Sequence, residues 1–146
     1  MTKYTATYNG QTFTRKTDRV YTHTVVSKPA YTYEQALAAA KARKQYGADW
    51  IAYCREAMSP DYKYASVTTD ARRAEYARHV EVGLDVINAE SVARAVAEVE
   101  RINAENHYET FYNNGWCGRF DLAQKLADKM RKYGHRGVVI LEAIAS

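Results

Sequence analysis

Residues 3–16 read KYTATYNGQTFTRK, two alternating runs on either side of Asn9-Gly10. Asn-Gly suits a type I′ turn best, because both central residues of that turn take positive φ. A two-residue turn sets the register: Tyr8 faces Gln11, Ala6 faces Phe13 and Tyr4 faces Arg15. One face of the hairpin then carries Tyr4, Ala6, Tyr8 and Phe13. The other carries Lys3, Thr5, Thr7, Thr12, Thr14 and Lys16, so the aromatic face is the one to bury. A third β-rich run, VYTHTVV at residues 20–26, follows a turn at Thr17-Asp18 and stops before Pro29.

Helical signals occupy the middle. Thr32 and Gln35 form a capping box, in which the hydroxyl and the amide satisfy orphan backbone N–H groups. Leu37, Ala40, Ile51, Cys54 and Met58 keep one stripe, which predicts a helix bent or interrupted at Gly47 and ending before Ser59-Pro60. Residues 61–68 have no helical period and read as a loop or a short extended piece. Thr69 can cap the next helix, with a stripe at Tyr76, Val80, Leu84 and Ile87. The phase then slips to Val92, Val96, Val99 and Ile102, which predicts a break between Asn88 and Ser91. Glu90, Arg94, Glu98, Arg101 and Glu105 alternate in sign on the outer face and read as a solvated ladder.

Asn113-Asn114-Gly115 marks a loop running to Phe120. A last helix buries Leu122, Leu126, Met130 and Tyr133, stops at Gly134, and turns Lys125, Lys129 and Lys132 outward. The chain closes on an apolar run over residues 138–144, a strand whose only available partners are the N-terminal ones. The expected architecture is one α+β domain over residues 1–146. It has an N-terminal antiparallel hairpin plus third strand, four to five helical segments, and a C-terminal strand completing one sheet with helices packed on it.

Composition narrows the function classes. At 146 residues the chain matches one domain and can hide roughly 70% of its unfolded surface without staples. The opening Met1-Thr2-Lys3-Tyr4-Thr5 has no apolar leader, and the strongest apolar run, residues 138–141, is far short of a membrane span. Two cysteines make no disulfide framework, so the cytoplasm is the expected location. The net charge of +4 is uneven: +5 over residues 1–60, −4 over 61–112 and +3 over 113–146. That pattern argues against an acidic mimic of DNA.

Chemistry-bearing motifs are sparse. Trp116-Cys117-Gly118 resembles half of a redox motif, but Phe120 stands where the second cysteine belongs. Cys117 with His107 or His135 offers a cysteine-dependent enzyme as one alternative. His23, His79, His107 and His135 are scattered without ligand spacing, and no Gly-rich phosphate loop occurs, so no cofactor or metal is expected. Nucleic-acid binding is the better-motivated alternative and ranks ahead of that enzyme. It rests on Lys3, Arg15, Lys16, Arg19 and Lys28, on Lys125, Lys129, Arg131, Lys132 and Arg136, and on thirteen tyrosines able to stack on bases. Protein binding is the leading reading, because Tyr, Trp and Arg dominate interface hot spots. The partner-binding candidates are Tyr62 and Tyr64 in one loop, Trp116 and Arg119 in another, and Lys125, Lys129 and Lys132 on the last helix.

Residues 4–10 (YTATYNG) through 19–26 (RVYTHTVV) resemble the start of small bacteriophage accessory proteins, and residues 115–123 (GWCGRFDLA) look like a segment near their end. Together they cover roughly a third of the chain. The resemblance implies a phage context in which a non-catalytic domain blocks a host defence complex, as anti-CRISPR proteins do. The implied partner is a host protein or nucleoprotein, and the resemblance carries no site residues with it.

Overall fold

The computed structural model describes residues 1–146. The chain is α+β, with five helices and two three-stranded antiparallel sheets. The sequence reading takes residues 1–146 as one domain; the fold gathers them into two compact units. One unit is Met1–Gln35 with Ile102–Ser146 and the other is Ala36–Arg101.

In the first unit, β1 (Thr2–Tyr8) and β2 (Gln11–Thr17) pair in the register expected from the turn, Tyr8 opposite Gln11 and Tyr4 opposite Arg15. Asn9 and Gly10 both take positive φ, 50° and 76°, as a type I′ turn requires. Tyr4 and Ala6 are buried. β3 (His23–Lys28) lies between β4 (Tyr112–Cys117) and β5 (Arg136–Glu142), antiparallel to both. Its central residues Thr24, Val25, Val26 and Ser27 are all buried, and only its ends, His23 and Lys28, are partly exposed.

The C-terminal run finds N-terminal partners, but it does not complete one sheet. β5 pairs with β3, and after Ala143 the two-residue β6 (Ile144–Ala145) pairs with β1. Both edges of β3 are taken by β4 and β5, so the hairpin forms a separate sheet of order β2-β1-β6.

β4 is the second departure, since Asn113-Asn114-Gly115 reads as a loop. Asn side chains favour turns because they bond nearby backbone; here they bond β3 instead. Asn113 Nδ2 donates to Thr24 Oγ1 (2.7 Å) and Asn114 Nδ2 to Ser27 Oγ (2.7 Å), while Thr24 Oγ1 donates to the Gly115 carbonyl (2.8 Å). The ladder skips Asn114 at a bulge, passing from Val25 opposite Gly115 to Val26 opposite Asn113.

α5 (Phe120–Lys132) covers this sheet through Ala123 and Ala127, both fully buried, with Leu126 packed beside them. Leu122 is 39% exposed and Tyr133 60%, so the buried stripe is rotated from the expected one. Small residues let the helix approach closely: a Cβ on Gly115 would sit 3.0 Å from Leu126 Cδ2. Gly134 ends α5 at φ +84°, with His135 N–H donating to the Met130 carbonyl (3.0 Å).

The remaining helices are α1 (Tyr33–Lys41), α2 (Trp50–Ala57), α3 (Asp70–Val82) and α4 (Leu84–Ala104). The capping box at Thr32 forms in both directions, at 3.0 and 3.1 Å. Thr69 Oγ1 caps α3 by accepting from Arg72 N–H (3.1 Å). Residues 42–49 are non-helical, a wider gap than a bend at Gly47. They are held by Asn88, whose amide accepts from Tyr46 N–H (2.9 Å) and donates to the Tyr46 carbonyl (3.0 Å), and by Ser91, which bonds Gln45. Asn88 and Ser91 therefore sit inside α4 as docking groups, and the break expected there falls earlier, at Gly83. No helix is long and apolar enough to cross a membrane.

Gly83 has φ 89° and ψ 167°, a region that essentially only glycine occupies. A Cβ at this position meets no atom within 4 Å, so substitution acts through the backbone alone. Gly83→Ala is expected to lower unfolding stability by about 1–3 kcal/mol, read from the denaturant midpoint. An unchanged midpoint would contradict the strained turn.

Candidate functional site

The second unit carries a cleft with a volume of about 520 Å³, walled by aromatic rings. α2 supplies the first wall. Its buried side is Cys54 and Ala57, which meet Tyr76 of α3. One turn around the helix, Trp50 and Tyr53 stack at 5.2 Å with 26° between their planes. Tyr46 also stacks on the indole, at 5.0 Å and 28°. Trp50 Nε1 donates to Nδ1 of His79 (2.9 Å), and His79, on α3, is only 6% exposed.

The second wall comes from the segment between α2 and α3. Tyr62 lies edge-on to Tyr53 at 89° and to Tyr64 at 74°, and the Tyr53 and Tyr62 hydroxyls are 3.0 Å apart. A short 3₁₀ turn, Ala65–Val67, closes the segment. Arg73 pins it by donating to the Ala65 carbonyl (2.7 Å) while it pairs with Asp70 (3.1 Å). Thr68, Thr69 and Arg72 complete the lining, and Arg72 is its one charged residue. The side chain of Arg72 is 57% exposed, and its carboxylate partner Glu75 stands 4.0 Å away.

The phenols sense this packing. The hydrogen bond with Tyr53, then burial, push Tyr62 from 10.0 up to about 12. Tyr76 is raised as well, first by burial and then by its bond with Tyr53. A raised phenol favours the neutral form in the folded chain, so the Tyr53–Tyr62 bond holds up to about pH 10 and is lost as pH climbs toward 12. Alkaline titration of tyrosinate absorbance should show this late ionisation, and Tyr53→Phe should return it toward 10.0. A late step unaffected by Tyr53→Phe would contradict the assignment.

Of the residues singled out from sequence, Tyr62 and Tyr64 meet in this cleft. The others belong to the first unit and do not assemble with one another into a site. Trp116 is half-buried on β4 with its ring 6.2 Å from Tyr21. Arg119 is exposed and pairs with Asp121 at 3.2 Å. Lys125, Lys129 and Lys132 are exposed on α5, with Lys129 Nζ 6.0 Å from the Tyr133 ring centre. Lys28 and Arg136, two of the basic groups, are engaged by Glu109, and Arg136 also holds the carbonyls of Pro29, Tyr31 and Tyr108. Glu109 offsets one of these two charges, and both side chains are tied to the fold. Sequence reasoning missed Trp50, Tyr53 and Arg72. The aromatic spacing of Tyr46, Trp50 and Tyr53 was the available signal, hidden behind the aliphatic stripe of the same helix.

Cys117 is 9% exposed among Val25, Ala123 and Ala127, and burial pushes its thiol above the ordinary value. His107 bonds the Tyr112 hydroxyl and His135 bonds Ser27. A thiol held in its neutral form is a weak nucleophile at neutral pH. Cys54 is raised too, by burial and then by the charge of Glu75. Both thiols should resist alkylation in the native protein at neutral pH and react readily once it is unfolded; fast native labelling of Cys117 would revive a reactive role. In comparisons with known proteins, no family model, no curated protein and no solved structure matches this chain.

Proposed function

We propose that this protein is a non-enzymatic binding protein that offers the aromatic cleft of its second unit to a macromolecular partner. The observation that carries the reading is preorganisation. Trp50, Tyr53 and Tyr62 are already held by hydrogen bonds and by ring contacts, so little rotamer entropy remains to be lost on binding. Tyr64 and Val67 stand exposed at the rim, 53% and 75%. Clustered Trp, Tyr and Arg side chains are what interface hot spots are made of. The likeness of the chain ends to phage accessory proteins supports a host defence complex as the partner, blocked sterically by occupation of its protein or nucleoprotein surface.

Affinity capture from bacterial host lysate, with and without nuclease, tests this. A stoichiometric partner should be retained by the native chain and by a Lys125→Glu, Lys129→Glu, Lys132→Glu variant. Its affinity should fall on the order of thirtyfold or more in Tyr64→Ala, the loss of a hot-spot anchor worth about 2 kcal/mol. Capture that is indifferent to Tyr64→Ala and lost in the lysine variant would move the binding surface to α5 and overturn the reading.

A further inference from the structure

We propose that the cleft is a site for a nucleotide unit, with a base against the tyrosine wall and its phosphate on Arg72. This deepens the reading above and rests on the cleft being the binding surface. Three observations lead to it. Tyr53, Tyr62 and Tyr64 all line the cleft, and successive rings meet edge to face, at 89° and 74°, so aromatic surface is offered in more than one plane. Every base has a π-face, so such walls accept bases with little regard to sequence.

The second observation is charge. No carboxylate lines the cleft, and its one charged group is the Arg72 guanidinium. Lys63 Nζ stands 5.4 Å from the centre of the Tyr64 ring and adds a second cation at the rim. An aromatic cage for a cationic ligand is built without competing cations, so this arrangement disfavours a quaternary ammonium or a methylated lysine. It favours a ring that carries an anion. The contrast with Arg73 sharpens the point: Arg73 is committed to Asp70 and to a backbone carbonyl, while Arg72 touches Glu75 only at 4.0 Å. A guanidinium with most of its donors unspent, on a residue that lines the cleft, is suited to a planar bidentate phosphate contact.

The third is size. At about 520 Å³ the cleft falls within the range of small-molecule sites, roughly 300–1,000 Å³. A base with its adjoining phosphate supplies ring and anion together. The same unit occurs as a free nucleotide and as a link in a single strand.

The test uses the full-length chain with Trp116→Phe, which leaves Trp50 as the sole tryptophan and as a reporter inside the cleft. Probes are an oligothymidylate about ten nucleotides long, thymidine monophosphate, and phosphotyrosine as the competing aryl anion. Either nucleotide probe should quench Trp50 emission saturably. Tighter binding of the oligonucleotide identifies a strand as the source, and equal binding identifies a free nucleotide. Tyr64→Ala and Arg72→Gln should each weaken binding about tenfold or more, and Arg72→Gln should lower the salt slope by about one. The lysine variant of α5 should bind as the native chain does. Anisotropy of a labelled oligothymidylate on the chain with both tryptophans provides the same readings if Trp116→Phe disturbs folding. Quenching by phosphotyrosine alone, no response to either nucleotide at millimolar concentration, or binding unchanged in both cleft variants would overturn the proposal. Lost nucleotide binding with partner capture still dependent on Tyr64 sinks this inference and leaves the cleft as the interface; capture indifferent to Tyr64 sinks the broader reading as well.

Discussion

The indole of Trp50 and the imidazole of His79 each leave the other no good alternative. His79 is shut away from water, and an acceptor buried without a donor costs about 1–3 kcal/mol. The indole N–H is the donor that reaches it, at 2.9 Å. Making that bond lays Trp50 across α3 and fixes which way α2 presents its aromatic face. Tyr46 and Tyr53 then stack on the ring, Tyr62 stands against Tyr53, and Tyr64 against Tyr62. The cleft is the consequence of one donor–acceptor pair and the rings that line up behind it.

The first unit is organised by a different constraint. β3 has no solvent edge, so every strand that joins it must come from far along the chain, and both flanking strands follow residue 110. The hairpin, the capping box at Thr32, the cap at Thr69 and the stop at Gly134 were readable because each is a local device whose residues lie within a few positions of one another. β4 was not readable, because Asn113 and Asn114 spend their side chains on hydroxyls some ninety positions away. The same reason misplaced the break in the second unit. Asn88 and Ser91 look like caps in isolation, and only the fold shows that their partners are Tyr46 and Gln45. The stripe of α5 was misjudged because alanine carries little hydrophobic weight in a pattern, yet it is the residue that lets a helix lie closest to a sheet.

Only part of the cleft was visible in sequence. Tyr62 and Tyr64 stood out as aromatic residues in a segment without periodicity, where burial by a regular element could not be assumed. Trp50 and Tyr53 did not, because the aliphatic stripe at Ile51 and Cys54 claimed that helix for a core. Arg72 looked like one arginine among several, and its distinction from Arg73 lies wholly in three-dimensional partners. Lys125, Lys129 and Lys132 form a clear pattern in sequence and remain exposed on α5, with nothing in the fold converging on them.

The account stands on the aromatic wall existing before any partner arrives. Hydrogen exchange of the Trp50 indole proton in the free protein, followed by NMR and assigned with Trp116→Phe, measures this directly. Exchange far slower than that of a free indole, with one set of ring signals for Trp50 and Tyr53, is the result this structure requires. Exchange at the free rate, or rings averaging among several orientations, would mean that the wall forms only on binding and would contradict it.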